Sequence, residues 1–349
     1  MPEGHTVHRL ARAFGELFVG ERLAVSSPQG RFAAGAALLD GHVLVASEAW
    51  GKQLFLGFAD PALAGPGTAG RPDDVRWLRV HLGLYGAWTF AGDGSTAVVH
   101  AIGAPRRRIG ERETVPAGPG AIEPGPDDAW SPPPPRGAVR VRLVGAHAVA
   151  DLTGPTACEV ITTEEKTAVE ARLGPDPIRD DGDVEAFVAR VGRSRVTIGQ
   201  QLMDQAVVAG VGNIYRAEAL FRAGVDPLRP GRDVPAETVR AIWYDLTTLM
   251  RDGTAQGAIV TTDPADRPTG EAGRERGYDR GEGSDEHKPV FDGRRRTRQN
   301  TDGTPGAVPS DQAFYVYHRA GQPCRICGTP VLTKELAGRN LFWCPTCQT

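Results

Sequence analysis

The last 26 residues carry four of the five cysteines of this chain, arranged as two closely spaced pairs. The pattern is Cys324-x2-Cys327 followed, after sixteen residues, by Cys344-x2-Cys347. Two pairs with this spacing, each on a tight turn, can place four thiolates around one tetrahedral zinc ion. Four protein ligands leave no coordination position for water, so the predicted zinc is structural. The alternative is two disulfides in an exported protein, which the start of the chain disfavours because it lacks the pattern of a signal peptide.

The residues between the two cysteine pairs predict a β-hairpin. Val331–Thr333 and Leu341–Trp343 form two short apolar runs, joined by residues 335–340. Arg339 lies at the predicted tip, where an arginine by itself is an ordinary solvated side chain. Cys158, the remaining cysteine, is predicted to fill space in the core.

The first part of the chain predicts one helix followed by many short strands. Residues 4–18 place apolar side chains at helical spacing, and strand-like runs follow over about 22–57, 76–100 and 138–152. Helical patterns then dominate residues 183–252. These changes predict a mostly β first domain over 1–162, a helical domain over 163–262 and a zinc-binding domain over 311–349.

Two stretches interrupt this organisation, one within the first domain and one between the helical and zinc-binding domains. Residues 104–137 are rich in proline, and residues 263–310 mix glycine, proline and charged residues without apolar periodicity, so we expect inserts, the second one disordered. The formal net charge of the chain is −3. Residues 111–135 carry five acidic residues against one basic, and residues 263–310 carry ten against nine, so the remainder of the chain has a formal charge of about +2. A local basic face for a polyanionic partner is therefore compatible with this sum.

A helix–glycine–helix pattern occupies residues 198–222. A helix from Ile198 to Gln205 runs into the glycines of 209–213, and a second helix begins at about Ile214. Asn213 is predicted to cap this second helix, where exposed backbone N–H groups and the helix dipole favour an anion. Alone, the pattern also fits an ordinary helical hairpin.

Four separated segments resemble the formamidopyrimidine-DNA glycosylase/endonuclease VIII family. They are Met1-Pro2-Glu3-Gly4-His5, Trp50-Gly51-Lys52, the stretch from Leu202 through Asp204-Gln205 and Gly210-x-Gly212-Asn213 to Tyr215, and Gly338-Arg339-Asn340 with the cysteines that follow. The resemblance covers nearly the whole chain outside the inserts. It implies an α+β fold with an N-terminal helix plus β-sandwich, a helix–two-turn–helix domain and a C-terminal zinc-finger β-hairpin.

The resemblance assigns the catalytic chemistry to Pro2, Glu3 and Lys52. Removal of Met1 leaves Pro2 with a free secondary amine, whose pKa is far below that of a lysine. Its attack on the sugar C1′ gives a cationic iminium, which acts as an electron sink for elimination. By resemblance, Glu3 is the general acid and base, and Lys52 contacts a phosphate beside the lesion.

The resemblance also assigns DNA contacts. Asn213 and Arg339 are expected to hold backbone phosphates on either side of the damaged nucleotide. Chemistry at C1′ requires the nucleotide to leave the base stack, and Leu84 and Tyr85 are the candidate wedge that fills the gap. The alternative for this pair is a place in the core of a β-turn. Relatives of the endonuclease VIII branch commonly carry glutamine immediately before the Leu-Tyr pair, where this chain has Gly83.

These assignments predict a bifunctional glycosylase and abasic-site lyase that excises oxidised pyrimidines by β,δ-elimination. Two alternatives are a family member acting on oxidised purines or mainly on abasic sites, and a non-catalytic zinc-hairpin protein that binds DNA. The expected partner is damaged double-stranded DNA, and the expected cofactor is one structural zinc ion. No apolar run is long enough for a membrane span, so we expect a cytoplasmic monomer acting at the bacterial nucleoid.

Overall fold

A computed structural model describes residues 2–62, 74–95, 101–103, 130–267 and 307–349. Most of the two predicted inserts, including the expected disorder of residues 268–306, lies outside the described residues. Within the described part, Pro264–Asp266 forms a short 3-10 helix instead of the start of a disordered segment. None of the helices in the described ranges combines the length and apolar character that a membrane span requires.

The N-terminal region is a helix packed on a β-sandwich, as predicted. Helix α1 (Gly4–Phe18) buries Val7, Leu10, Phe14 and Phe18 in the sandwich core. The elements that follow it are β1 Ala24–Ser26, α2 Ala33–Leu39, β2 Val43–Trp50, β3 Gln53–Ala59, β4 Val75–His81, β5 Ala87–Gly92, β6 Ala101–Gly103, β7 Val139–Val144, β8 Ala148–Thr153 and β9 Ala157–Ile161. One antiparallel sheet has the strand order β2-β3-β4-β9, and the other has the order β1-β7-β8-β5-β6.

Helix α3 (Thr163–Glu170) follows β9 directly and packs on the outer face of the first sheet. Its Val169 contacts a small apolar cluster that contains Phe55, Trp77 and Ile161. The Lys166 ammonium lies 4.6 Å from the centre of the Trp77 ring. Helix α3, which lies just after the predicted boundary at residue 162, therefore still packs on the sheet of the N-terminal region.

The helical region and the cysteine-rich hairpin share one hydrophobic core. The remaining helices are α4 Val184–Gly192, α5 Ile198–Gln201, α6 Asn213–Arg222 and α7 Ala236–Gln256, and the hairpin strands are β10 Leu332–Leu336 and β11 Arg339–Trp343. A single buried cluster runs from Phe187 on α4 through Leu246 on α7 to Phe342 and Cys344 on the hairpin. The hairpin therefore packs as part of the helical core.

Glu218 in the middle of α6 fixes the chain that leads into the hairpin. Its fully buried carboxylate accepts hydrogen bonds from the backbone N–H groups of Tyr315, Val316 and Tyr317 at 2.8, 2.9 and 2.8 Å. It also accepts one from the Thr261 hydroxyl at 2.5 Å. Because every donor is buried, removing this carboxylate leaves several polar groups without an acceptor.

We predict that Glu218→Ala lowers the free energy of unfolding by about 3–5 kcal/mol, because each unsatisfied buried donor costs about 1–3 kcal/mol. Glu218→Gln retains an acceptor oxygen and should lose less. Urea unfolding measures both changes. Glu237→Ala, at an exposed position of α7, is the matched control and should change stability by less than about 0.5 kcal/mol. An equal effect of the Glu218 and Glu237 variants would contradict this account.

Candidate active site and nucleic-acid interface

Glu3 connects the start of the chain to the helical region. Its carboxylate is fully buried at the N-terminus of α6, where it accepts hydrogen bonds from the N–H groups of Gly212, Ile214 and Tyr215 at 3.0, 2.8 and 3.4 Å. Unpaired N–H groups and the helix dipole favour a negative charge at this point. The anion site predicted at this helix is therefore filled by the protein's own carboxylate.

Lys52 meets the same segment from the sandwich. Strands β2 and β3 are joined by the two-residue turn Gly51-Lys52, and the Lys52 ammonium donates a hydrogen bond to the Val211 carbonyl at 2.8 Å. Burial and the nearby Arg339 lower the pKa of Lys52, while Glu3 opposes the shift. Burial raises the pKa of Glu3, while Lys52 and the backbone N–H groups oppose it. The opposite charges of Glu3 and Lys52 thus act on each other's pKa.

Pro2 lies immediately before Glu3 and is buried. The next residue, Gly4, donates its N–H to the Gly210 carbonyl at 2.8 Å, which holds the start of the chain against the glycine loop of residues 209–212. Burial lowers the pKa of His5 to about 3, so this ring is neutral where it packs edge-on against Tyr215. The structure therefore brings Pro2, Glu3 and Lys52 to one region.

Glycine is required where these segments touch. A Cβ at Gly212 would overlap the Glu3 carboxyl group, and one at Gly51, which has φ +57°, would lie 2.9 Å from the Gly210 nitrogen. Gly210 has φ +90° and packs against Gly4 and Met250. The glycines of the helix–glycine–helix pattern thus permit the close approach of the segments that carry Pro2, Glu3 and Lys52.

Asn213 is the first residue of α6, and Gly212 is the N-cap, which corrects the sequence prediction. The Asn213 side chain makes no capping hydrogen bond. Its amide donates to the Asn340 carbonyl of the hairpin at 3.0 Å, and its oxygen accepts from Arg216. The correction has a physical reason: the Glu3 carboxylate already binds the free N–H groups, so Asn213 faces the hairpin instead.

Arg339 is the first residue of β11, directly after the turn Ala337-Gly338. Both turn residues have positive φ, 53° and 69°, as a two-residue hairpin turn of this type requires. The strands extend to residues 332–336 and 339–343, so the hairpin is longer and its connection shorter than predicted. Arg339 is exposed, and its charge is close enough to Lys52 to lower the pKa of that group.

The four cysteines lie together behind the hairpin. Their sulfur atoms are all within 4.8 Å of one another, with Cys327 and Cys344 at 3.4 Å and Cys324 and Cys347 at 3.9 Å. A tetrahedral zinc with Zn–S bonds of about 2.3 Å places its ligands roughly 3.8 Å apart, so the sulfurs fit the ion. The separations exceed the roughly 2.05 Å of a disulfide bond, and the cysteines are free. The group is a structural zinc site.

Leu84 and Tyr85 are exposed at the end of the sandwich, with 39% and 81% of their surfaces accessible. They lie in the connection Leu82–Gly86 between β4 and β5. His81, the last residue of β4, pairs with Gln53 of β3, so this connection lies at the same end of the sheet as the Lys52 turn. The alternative prediction, a buried place in a β-turn, is wrong for both side chains.

Sequence reasoning missed Asp176, which links three parts of the site. Its buried carboxylate accepts hydrogen bonds from the Gly51 N–H at 2.7 Å and from the Ile178 N–H at 3.1 Å, and it pairs with His8 at 2.8 Å. It thus ties the Lys52 turn to α1. The only signal in the sequence was its place in Gly-Pro-Asp-Pro at 174–177, which reads as an ordinary turn.

Two family models match this chain. The formamidopyrimidine-DNA glycosylase H2TH domain matches residues 173–264, and the zinc finger found in FPG and IleRS matches residues 321–349. Endonuclease 8 1 of Mycobacterium tuberculosis is 39% identical over 349 residues, which is 100% of both chains. The formamidopyrimidine-DNA glycosylase of Thermus thermophilus is 32% identical over 51% of this chain and 54% of its own length.

The fold also matches solved structures. Lactococcus lactis Fpg bound to DNA that contains N7-benzyl-Fapy-dG is 18% identical, with a TM-score of 0.63 over 100% of both chains. A complex of MutM with DNA containing carbocyclic 8-oxo-G gives the same TM-score and identity. The fold, the zinc finger and these relatives define the class of this protein as a DNA glycosylase and abasic-site lyase of base excision repair. Within that class, the chain belongs to the formamidopyrimidine-DNA glycosylase/endonuclease VIII family.

We predict that chelation releases one zinc ion per chain and weakens DNA binding at least tenfold, because the four cysteine sulfurs that the ion brings together hold the hairpin with Arg339. Zinc release measured with a colorimetric chelator, alongside DNA binding by anisotropy, checks both effects. Added zinc should restore affinity. Cys158→Ser, outside the cluster, should retain its zinc and its affinity. A metal-free sample with full affinity would contradict the structural role.

Proposed function

We propose that this enzyme excises oxidised pyrimidines from duplex DNA through a covalent intermediate on Pro2. One observation supports the catalytic assignment above all others: Glu3 and Lys52 meet on residues 211–215, next to Pro2. A carboxyl group with a raised pKa and an ammonium group with a lowered pKa suit proton transfer near neutral pH.

The proposed reaction begins with attack of the unprotonated Pro2 nitrogen on C1′ of the damaged nucleotide. The C1′–N bond to the base breaks, the base leaves with its electron pair and a proton, and the sugar ring opens as Glu3 protonates its oxygen. The product is an iminium at C1′, which accepts electrons as a C2′ proton is removed and the 3′ phosphate leaves. A second elimination releases the 5′ phosphate. Water completes the cycle by hydrolysing the iminium.

The proposed DNA contacts surround this centre. The exposed Arg339 guanidinium lies near Lys52, so both cations can bind phosphates of the same strand. Asn213 lies on the adjacent α6 and binds the hairpin through Asn340. Its proposed phosphate contact uses the same interface between helix and hairpin. Leu84 and Tyr85 project from the neighbouring end of the sandwich and are the proposed wedge that replaces the extruded nucleotide.

The choice of oxidised pyrimidines rests on similarity to endonuclease 8 1 over the full length. The formamidopyrimidine-DNA glycosylases of Thermus thermophilus and Geobacillus kaustophilus align in sequence with 51% of it. Oxidised purines, or abasic sites alone, are the competing substrates. We also propose that the enzyme acts as a monomer at the bacterial nucleoid, with Pro2, Glu3, Lys52 and Arg339 of one chain forming the whole site. The domain division at 1–162, 163–262 and 311–349 remains part of this proposal.

Borohydride trapping tests the covalent step. The wild-type enzyme should form a reduced protein–DNA adduct on an oligonucleotide with an abasic site, and Pro2→Gly should reduce the yield at least tenfold because it removes the secondary amine. Glu3→Gln should lower turnover on lesion-containing DNA by about 100-fold or more, the usual contribution of a general acid or base. Glu16→Gln, at an exposed position on the same helix, is the control. No adduct on any damaged duplex would refute the catalytic assignment.

A lesion panel tests the substrate. Separate duplexes containing thymine glycol, 5-hydroxycytosine and 8-oxoguanine should give kcat/KM values at least tenfold higher for the two pyrimidine lesions, a difference within the range that pocket contacts provide. Single-turnover base release measures the chemical step. Equal or faster release of 8-oxoguanine would favour the purine alternative. Trapping on abasic DNA without release of any base would favour the lyase alternative.

A further inference from the structure

Two connections of the sandwich run side by side beside the proposed wedge. β4 and β9 pair in one sheet, with His81 opposite Ala157, and β5 and β8 pair in the other, with Ala87 opposite Thr153. The connection Leu82–Gly86 and the connection Gly154–Thr156 therefore cross together from one sheet to the other. The Thr156 N–H donates to the His81 carbonyl at 2.9 Å and fixes this pairing.

The position before the Leu-Tyr pair has no room for a side chain. Gly83 has φ +65°, and a Cβ added there would overlap the hydroxyl oxygen of Thr156. Gly154 on the second connection has φ +63°, and its Cβ would lie 2.9 Å from the Tyr85 carbonyl oxygen. The Thr156 hydroxyl thus occupies the space that a residue at position 83 would otherwise fill.

This hydroxyl is available for an external partner. Thr156 is exposed, and it lies next to the connection that presents Leu84 and Tyr85 to solvent. Within the described residues, no hydrogen bond engages its oxygen, although the hydroxyl can both donate and accept. The isobutyl group of Leu84 and the ring of Tyr85 supply mainly apolar surface, so Thr156 adds a polar group at the edge of the wedge.

We propose that the Thr156 hydroxyl hydrogen-bonds the base left opposite the extruded nucleotide. That base loses its Watson–Crick partner when the lesion leaves the stack, and its unpaired donors and acceptors cost free energy unless they find new partners. A hydroxyl can serve either kind of group, so it supports several opposite bases. The inference rests on the proposed function, because it requires Leu84 and Tyr85 to enter the duplex.

The test compares Thr156→Val with the wild type on two otherwise identical lesion duplexes. One has a normal base opposite the lesion, and the other has a baseless tetrahydrofuran residue there. Thr156→Val keeps the shape of the side chain and removes the hydroxyl, so kcat/KM on the first duplex should fall about two- to tenfold, the usual range for one neutral hydrogen bond. On the baseless duplex it should not change. Thr156→Ser retains a hydroxyl and should keep most of the wild-type activity on the first duplex.

Two further variants separate the possible failures. Thr248→Val, at an exposed threonine on α7, is the matched control and should equal the wild type on both duplexes. Leu84→Ala tests the wedge itself. If Leu84→Ala and Thr156→Val both leave activity unchanged, the wedge assignment fails together with the inference. If only Leu84→Ala is impaired, the inference alone fails. Equal impairment of Thr156→Val on both duplexes overturns it too, because that result marks a role in supporting the loop.

Discussion

The rest of the site depends on one buried carboxylate. Glu3 belongs to the N-terminal segment, but its three hydrogen bonds come from the loop and first turn of α6, more than 200 residues away. A buried charge is tolerated only when polar partners replace the water it has lost, and here the partners are N–H groups that the helix leaves free. The interaction therefore joins the sandwich to the helical region. It also brings Pro2 into the same region as Lys52, because Pro2 precedes Glu3 and Lys52 binds the same loop.

A second buried carboxylate, Glu218, binds backbone N–H groups about one and a half turns further along α6. Glu218 accepts hydrogen bonds from the three successive N–H groups of residues 315–317, whereas the donors to Glu3 at the start of the helix are Gly212, Ile214 and Tyr215. Arg216, fully buried between them, reaches the Asn340 carbonyl of the hairpin at 3.3 Å. The hairpin is thereby fixed to the same helix that fixes Glu3. Zinc joins the two cysteine pairs on either side of the hairpin. The contacts of Glu218, Asn213 and Arg216 set the position of the hairpin relative to α6.

The sequence predicted best those features that depend on local spacing. The cysteine pairs specified the metal site, and the apolar face of residues 4–18 specified α1, because ligand geometry and helical period act over short distances. Features that depend on distant partners could not be predicted. Asn213 was expected to cap α6, but Glu3 satisfies those N–H groups from elsewhere in the chain. Asp176 lies in what reads as an ordinary turn, and nothing local indicates its partners Gly51 and His8, which lie more than 120 residues away. Family resemblance supplied Pro2, Glu3 and Lys52 as a set, and the structure supplied the contacts that hold them.

The net charge of −3 is a poor guide to this site because a phosphate responds to the charges nearest to it. Around the glycine loop lie the cations Lys52, Arg216 and Arg339. The carboxylates of Glu3 and Asp176 also lie at this loop, and both already accept hydrogen bonds from backbone N–H groups. Of these cations, Arg216 is buried and Lys52 is partly buried, whereas Arg339 is exposed. The local field is thus positive on the face between α6 and the hairpin. A phosphate bound there would offset the repulsion between Arg339 and Lys52, and the pKa of Lys52 would rise as a consequence.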